Sequence, residues 1–317
     1  MRTLLYKLLC SGLLLGFFLW RIPLSQVWLH LSDLGAATLF CVTGLAFAAW
    51  LLSALRLWCL IPELSLGKVT KNTFISLFYS TVLPGQITGD VVKAYRLGKS
   101  SVQRGHAEAA TLVDRALALF ALCGIGAAAS FLTPASATSK ALLLPFLAAA
   151  AMMFIVGSFA ANHRFRHQLL DRFLPPSTGR IREFLRHFGV ALHECMRKPW
   201  RLAVNLLLAL LFHVLCIVAH VVLGWGLQIE LPWVAWAIVY SVISLVTLLP
   251  ISIAGVGLRE GGYVGILALF GIASDVSLSL SFTVFAISLL GAACGGLLEL
   301  AGMPSKANNQ PDAEAPP

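Results

Sequence analysis

The chain has 317 residues, of which 58% are hydrophobic and only 12% are charged. Its apolar residues fall in runs of about twenty, the length that crosses a bilayer core as a helix, so we expect an all-α, polytopic membrane protein. Apolar runs without two-residue alternation argue against a barrel, and no polar stretch is long enough for a soluble domain. Basic loops on one side of a membrane explain the formal charge of +9 without a nucleic-acid partner.

The sequence predicts about seven full crossings and two apolar pieces that are too short to span. In chain order, the crossings are predicted at residues 4–20, 36–55, 107–132, 140–161, 202–227, 233–250 and 277–303. The short pieces cover residues 72–84 and 261–273, and at ~1.5 Å per residue each reaches only about 20 Å. We therefore expect one transmembrane domain, residues 1–303, as a helical bundle with two broken or re-entrant segments and an internal repeat.

Basic residues cluster on both sides of the first short piece. The loop charges Arg56, Lys68 and Lys71 precede it, and Lys93, Arg96, Lys99 and Arg104 follow it. The polar interval at residues 162–201 holds nine further Lys or Arg residues. The positive-inside rule puts these loops, and with them the amino terminus, in the cytoplasm. Because both flanking loops are basic, residues 72–89 are predicted to enter and leave the membrane on the same face.

Three other segments have simpler predictions. The interval 162–201 has apolar residues at helical spacing among arginines, which predicts a basic amphipathic helix on the inner leaflet. The tail at residues 304–317 is rich in Pro, Ala and polar residues, which predicts disorder. For residues 251–273 a re-entrant piece and a strained crossing both fit, which leaves the side of the carboxyl tail open.

The first short piece ends in a polar break at residues 83–90. Pro84 cannot donate a backbone hydrogen bond, and Gly85 and Gly89 allow close approach or unusual dihedral angles. Gln86 and Thr88 add neutral polar groups before Asp90. Lys93 and Arg96 follow Asp90 by three and six residues and can share its helical face. Two interpretations follow: a headgroup site with opposite charges, or a kinked helix whose next turn is capped by Asp90.

The second half of the chain repeats this pattern at residues 249–260. Pro250, Ser252, Gly255 and Gly257 loosen the chain before the adjacent charges of Arg259 and Glu260. Charged side chains at membrane depth usually face a cavity or a partner. The alternative is an Arg-Glu pair at the membrane interface that reaches to water.

The third crossing carries charges about two turns inside its start. Asp114 requires a counter-charge, and because Arg115 points about 100° away on a helix, we expect both to pair with other helices, for example with Arg259 and Glu260. A cross-helix clamp and a substrate contact are both open interpretations. His213 and His220 lie seven residues apart on one face of the fifth crossing, which favours hydrogen bonds within the bundle over a metal site.

These motifs together resemble one known family. They are Leu83-Pro84-Gly85 with Gly89-Asp90 and Arg96, then Asp114-Arg115, then Pro250-Ile251-Ser252 with Gly255, Gly257, Arg259 and Glu260. In this order they resemble the flippase-like family that corresponds to the transmembrane region of bacterial lysylphosphatidylglycerol synthases. The resemblance covers about residues 1–303 and implies a bundle that moves polar-headgroup lipids, including phospholipids, hopanoid-type and polyprenyl-linked lipids, between leaflets.

The sequence differs from that family in two ways, and each difference leads to an expectation. Its best-known members continue into a soluble aminoacyl transferase, and this chain stops at Pro317, so we expect a stand-alone bundle that does not make the aminoacyl lipid. Asp114 stands where members often have Glu, and Ala118, a turn later, stands where they often have a further acid. The charge network of this crossing is therefore expected to differ.

We expect a lipid transporter of the bacterial inner membrane rather than an enzyme. The predicted substrate-binding residues are Gln86, Thr88, Asp90, Arg96, Asp114, Arg115, Ser252, Arg259 and Glu260, and the predicted hinges are Pro84, Gly85, Gly89, Pro250, Gly255 and Gly257. Arg96 and Arg259 are expected to contact an anionic or phosphate-bearing headgroup. The rival hypotheses are an integral-membrane headgroup transferase, with Asp90 or Glu260 as base, and a scaffold for a lipid-synthesis complex.

Membrane lipids are the expected partners, and lipid-biosynthesis enzymes are a further class of partner. None of the seven cysteines is spaced as a metal pair, and Gly98-Lys99-Ser100 lacks the strand and first glycine of a phosphate loop. We therefore expect no metal, cofactor or nucleotide.

Overall fold

The protein is described by a computed structural model. The structure describes residues 24–83, 87–100, 104–133, 143–152, 154, 198–249, 252 and 254–301. Within these residues the regular structure is helical: α1 (Leu24–Asp33), α2 (Ala36–Leu60), α3 (Leu66–Val82), α4 (Ile87–Ser100), α5 (Arg104–Leu132), α6 (Leu143–Met152), α7 (Pro199–Gly226), α8 (Trp233–Leu248), α9 (Leu258–Ala268) and α10 (Ser274–Ala301). The membrane helical bundle expected from the sequence is confirmed.

Four of these helices, α2, α5, α7 and α10, are long and apolar enough to cross a membrane. Their 25 to 29 residues correspond to about 38 to 44 Å of helix, more than the roughly 30 Å of a bilayer core. They match four of the predicted crossings to within a few residues. The predicted crossing at residues 4–20 lies outside the described residues, as do most of the interval 162–201 and the tail 304–317.

Two hydrophobic clusters distinguish the two ends of the bundle. Leu60, at the end of α2, belongs to a cluster that also contacts Leu202, at the start of α7. Leu34 and Leu227, at the opposite ends of the same pair of helices, belong to a larger cluster. We call the end that holds the first cluster the basic end and the end that holds the second cluster the opposite end. Five basic residues lie near the basic end: Lys68, Lys71, Lys99, Lys198 and Arg201.

Helices α3 and α4 form a hairpin that enters and leaves at the basic end. Val69, in the first turn of α3, and Leu97, near the end of α4, are both fully buried in the cluster at the basic end. The two arms pack closely, because a Cβ on Gly89 would overlap the Ser76 carbonyl and the Ser80 hydroxyl. The prediction that residues 72–89 are re-entrant is therefore confirmed.

Helices α8 and α9 form a second hairpin, which enters from the opposite end. With 16 residues, α8 is shorter than the predicted crossing at 233–250. A Cβ on Gly262 of α9 would lie 2.8 Å from Ile243 of α8, so the arms run side by side. Beyond α9, Phe270 and Ile272 pack against the cluster at the opposite end, which also includes Ile229 before α8. Helices α8 and α9 together thus form a re-entrant unit, and the full crossing predicted at residues 233–250 is wrong, because α8 is only the first arm of this hairpin.

Helix α10 packs against both hairpins and crosses the whole bundle. Asp275, at its start, bonds His30 of α1 at the opposite end, and Glu299, near its end, bonds Arg96 of α4 at the basic end. Gly295 allows α10 to approach α3 so closely that a Cβ there would overlap the Phe74 carbonyl. The described chain therefore ends at the basic end, with Ala301.

Candidate functional site

The two hairpins line a charged cavity of about 240 Å³ inside the bundle. Ala254, in the turn between α8 and α9, lines it together with Asp90 of α4. The other polar lining residues are Ser53, Arg56, Thr73, Ser76, Ser80, Thr81, Lys93, Asp114, Arg115, Arg259 and Ser288. A cavity of this composition within an apolar bundle can hold a polar or charged group away from lipid.

A buried ion pair forms one wall of this cavity. Arg56 of α2 donates from Nε to Asp114 Oδ1 at 2.6 Å and from Nη2 to Asp114 Oδ2 at 2.9 Å. Asn205 of α7 donates to the same Oδ1 and to the Arg56 carbonyl, each at 2.9 Å. The expected pairing of Asp114 with Arg259 is wrong, because Asp114 faces α2 and α7. The clamp interpretation of Asp114 is supported by these contacts, although its neighbour Arg56 also faces the cavity.

A second set of charges joins α4 to α5 across the cavity. Asp90 lies 3.0 Å from Lys93 Nζ, one turn along α4, and 3.3 Å from Arg115 Nε. One carboxylate is thus shared by two cations. The predicted common face of Asp90 and Lys93 is confirmed, and Arg115 pairs with another helix as predicted.

The third pair lies at the start of α9. Arg259 donates from Nη2 to Glu260 Oε1 at 2.7 Å, and the Gly257 amide donates to Glu260 Oε2 at 2.5 Å. The Arg259 guanidinium also lies 4.3 Å from the centre of the Phe285 ring, within cation–π range. Arg259 is 7% exposed and Glu260 1%, so the alternative of an interfacial pair that reaches water is wrong.

Arg96, which the sequence predicted to contact a headgroup, lies outside the lining of the cavity. It donates from Nη1 to both carboxylate oxygens of Glu299 at 2.7 Å and from Nε to Asn72 Oδ1 at 3.0 Å. Tyr79 also donates to Glu299. The side chain of Arg96 turns away from Asp90 and fastens α4 to α3 and α10. Its contacts are those of a structural clamp.

The remaining predicted residues include glycines of the α8–α9 turn and two residues with hydroxyl groups. Gly255 and Gly257 have φ of 76° and 84°, and these left-handed conformations reverse the chain between α8 and α9. The Ser252 side chain is 1% exposed, and its hydroxyl has no hydrogen-bond partner among the described residues. Thr88 is half-buried in the first turn of α4. Pro84, Gly85, Gln86 and Pro250 lie outside the described residues.

A second cavity, of about 320 Å³, continues from the first towards the opposite end. It shares Arg56, Arg115, Arg259 and three other residues with the charged cavity, and half of its twelve other lining residues are apolar. On its wall, His213 bonds Tyr240 at 2.9 Å and His220 bonds Tyr263 at 2.7 Å. The predicted bundle-facing hydrogen bonds of both histidines are confirmed.

Sequence reasoning missed the role of Arg56 and Asn205, and it did not place Lys93 among the site residues. Arg56 was interpreted as a loop charge because the crossing was predicted to end at residue 55. The signal was present, since apolar residues continue on both sides of Arg56 to Leu60. An arginine within an unbroken apolar helix requires a partner at depth.

Within the described residues, no group of three or more His, Cys, Asp or Glu side chains could hold a metal ion. The site that the geometry provides is instead a set of ion pairs around a cavity of about 240 Å³. Such an arrangement could recognise a charged or polar group by electrostatics.

A comparison with protein families matches residues 4–296 to the lysylphosphatidylglycerol synthase TM region. The chain belongs to this family. It is therefore a multi-pass membrane protein, and the resemblance described above is confirmed. Membership also associates the bundle with the handling of lipid headgroups. Comparisons with curated proteins and with solved structures give no match.

Proposed function

We propose that the protein is a flippase-like transporter that moves a polar-headgroup lipid between the two leaflets. The observation that carries the proposal is the pair of hairpins, α3–α4 and α8–α9, which enter from opposite ends and line one charged cavity. Discontinuous helices that meet near the membrane centre are typical of substrate sites in secondary transporters. Both hairpins could move relative to the four long helices and open the cavity to one leaflet at a time.

The two joined cavities suit an amphipathic substrate. The charged cavity would hold the headgroup, and the more apolar second cavity would hold the part next to it. Acyl chains would remain in lipid, against the apolar outer surface, where Phe40, Leu207 and Leu297 are 65 to 80% exposed. This arrangement spares the headgroup the cost of crossing hydrocarbon without a partner.

The contacts of the carboxylates favour transport over headgroup transfer. A general base requires a carboxylate oxygen within hydrogen-bond reach of its substrate. Asp90 already binds Lys93 and Arg115, and Glu260 already binds Arg259 and the Gly257 amide. Neither carboxylate is poised as a base, whereas both sets of charges could rearrange around a bound headgroup.

We also propose an inner-membrane location with the basic end in the cytoplasm. The described residues near that end include five Lys or Arg side chains, while the opposite end carries Asp33, Glu230 and Asp275. This asymmetry follows the positive-inside rule. It would also put the amino terminus in the cytoplasm if the predicted crossing at residues 4–20 forms.

Leaflet exchange in proteoliposomes tests the proposal. Purified protein is reconstituted with a panel of headgroup-labelled lipids, and exchange is followed for the wild type, Arg259→Ala and Asp90→Ala. Lys99→Ala is the matched control, because this exposed lysine of α4 lies outside the cavity. Wild type and control should exchange at least one lipid, and the two cavity variants should lose most of that rate. Chemically altered lipid in place of exchanged lipid would support the transferase instead.

A further inference from the structure

The charges of the cavity do not balance. Its described lining has four cations, Arg56, Lys93, Arg115 and Arg259, and two carboxylates, Asp90 and Asp114. Glu260, bonded to Arg259, adds a third carboxylate at the same site. The described residues therefore leave one positive charge in excess. It arises because the single carboxylate of Asp90 contacts two cations, Lys93 and Arg115, and can balance only one of them.

The two histidines add no charge in this arrangement. His213 Nε2 lies 2.9 Å from the Ala118 carbonyl and His220 Nδ1 lies 2.7 Å from the Cys216 carbonyl, so each of these nitrogens donates. The other nitrogen of each ring faces a tyrosine hydroxyl, from which a neutral imidazole accepts. The net charge of the site is therefore set by its arginines, lysine and carboxylates.

The Arg56 guanidinium has a hydrogen-bond donor without a partner among the described residues. Arg56 is 3% exposed and uses Nε and Nη2 on Asp114, but its Nη1 has no hydrogen-bond partner among the described residues. A buried unpaired donor on a cation is costly, and a charged acceptor relieves this cost most strongly. Arg56 lines both cavities, so its guanidinium belongs to the wall that they share.

We infer that the cavity selects a phosphodiester headgroup with one net negative charge and that Arg56 Nη1 anchors its phosphate. This inference rests on the proposed function and specifies its substrate class. A phosphodiester monoanion balances the excess charge and supplies the missing acceptor. With a zwitterionic headgroup the cavity keeps one unbalanced positive charge, and with a cationic headgroup it keeps two. A phosphomonoester carries roughly −1.5 to −2 charges at pH 7 and would leave the occupied cavity with excess negative charge.

Binding of short-chain lipids to the purified protein in detergent tests the charge rule. The probes are dioctanoyl phosphatidylglycerol, phosphatidylethanolamine and phosphatidic acid, with dimethyl phosphate as a phosphodiester that has no lipid tails. Wild type should bind phosphatidylglycerol at least about tenfold more tightly than phosphatidylethanolamine, because the ammonium group of the latter leaves the excess positive charge of the cavity unbalanced. It should bind dimethyl phosphate far more weakly, whereas equal binding of the two would identify a free-phosphate site and overturn the lipid assignment.

Three variants change the charge or the anchor in defined ways. Asp90→Asn raises the excess positive charge of the cavity to two, so the variant should prefer phosphatidic acid more strongly than the wild type does. Lys93→Gln lowers the excess to zero and should remove the discrimination against phosphatidylethanolamine, while Lys99→Gln, the same change on the same helix outside the cavity, should not. Arg56→Lys keeps the charge but removes the free Nη1 donor, so phosphatidylglycerol should bind about tenfold more weakly.

The outcomes separate this inference from the proposed function. If the wild type exchanges lipids between leaflets but prefers a zwitterionic or cationic headgroup, the charge rule is wrong and the transporter proposal stands. Preferences that do not change in Asp90→Asn and Lys93→Gln, in protein with wild-type thermal stability, would also overturn the rule. If the protein neither binds nor exchanges any lipid of the panel, the proposed function itself fails.

Discussion

Buried charges are the most informative residues of this protein, because each one needs a partner at a depth where water cannot supply it. Arg56 and Asp114 are each at most 4% exposed in their side chains, yet they carry full charges at the centre of the bundle. Replacing such a pair with apolar residues is often neutral for stability. Its presence in the wall of a cavity is therefore better explained by function than by stability.

Asp114→Ala should destabilise the protein strongly. The substitution leaves Arg56 buried without its carboxylate, and breaking a buried pair in this way costs about 3 to 5 kcal/mol. Thermal unfolding in detergent should show a clear drop in Tm, whereas Asp33→Ala, at an exposed aspartate, should show almost none. Arg56→Met combined with Asp114→Leu should restore most of the stability but not lipid exchange. A double variant that transports normally would contradict the functional role of the pair.

At this scale, much of the site could be predicted from the sequence. Asp90, Asp114, Arg115, Arg259 and Glu260 were recognised because charges next to apolar segments are rare and expensive. Their partners could not be predicted, since pairing depends on which helix faces which. Asp114 pairs with Arg56, 58 residues earlier in the chain, and not with the arginine that follows the second break.

At the scale of elements, small residues determine how closely the hairpins approach the long helices. Gly295 of α10 faces the backbone of α3 at Phe74, and Gly291 faces the Trp50 ring of α2. A side chain at either position would push helices apart. The positions of the hairpin arms, and hence the shape of the cavity, depend on these contacts.

Gly295→Ala should destabilise the bundle by about 1 to 3 kcal/mol, the usual cost of overpacking. The added methyl group would meet backbone atoms, which cannot rotate away as a side chain can. Gly44→Ala on α2 is the matched control, because a Cβ there meets nothing within 4 Å, and it should be neutral or stabilising by up to about 1 kcal/mol. Equal unfolding temperatures for the two variants would show that α3 and α10 are not in close contact.

The hairpins could be predicted only in part. Basic loops on both sides showed that residues 72–89 turn back, because charge asymmetry is visible in the sequence. No such charge signal flanks α9. Its direction could be determined only from the structure, in which Gly262 of α9 packs against Ile243 of α8. The sequence also predicted a full crossing at residues 233–250, because this apolar run is nearly long enough to span, whereas α8 is one arm of a hairpin.

At the scale of the whole molecule, the ends of the long helices predict the orientation in the membrane. Trp200 and Trp225, 62% and 69% exposed, lie at opposite ends of α7, as tryptophans do at the two interfaces of a bilayer. The basic end lies near Trp200. The opposite end, near Trp225, is acidic.

Cysteine labelling checks this orientation. In a background without the native cysteines, Ser65→Cys at the basic end should react with an impermeant maleimide only in inverted vesicles. Glu230→Cys at the opposite end should react only in right-side-out vesicles. Both positions are exposed loop residues, so each should be accessible from its own side. Labelling of both from the same side would contradict the arrangement of α2 and α7, and exchanged sides would contradict the orientation.

The central claim is that a headgroup passes through the cavity between the two hairpins. Ser288 of α10 lines both joined cavities, whereas its neighbour Leu289 is 42% exposed on the outer surface. Leaflet exchange in proteoliposomes should therefore stop in Ser288→Trp, which fills the cavity, and continue at the wild-type rate in Leu289→Trp. Exchange at the wild-type rate by Ser288→Trp, in protein with normal thermal stability, would show that the lipid does not take this route.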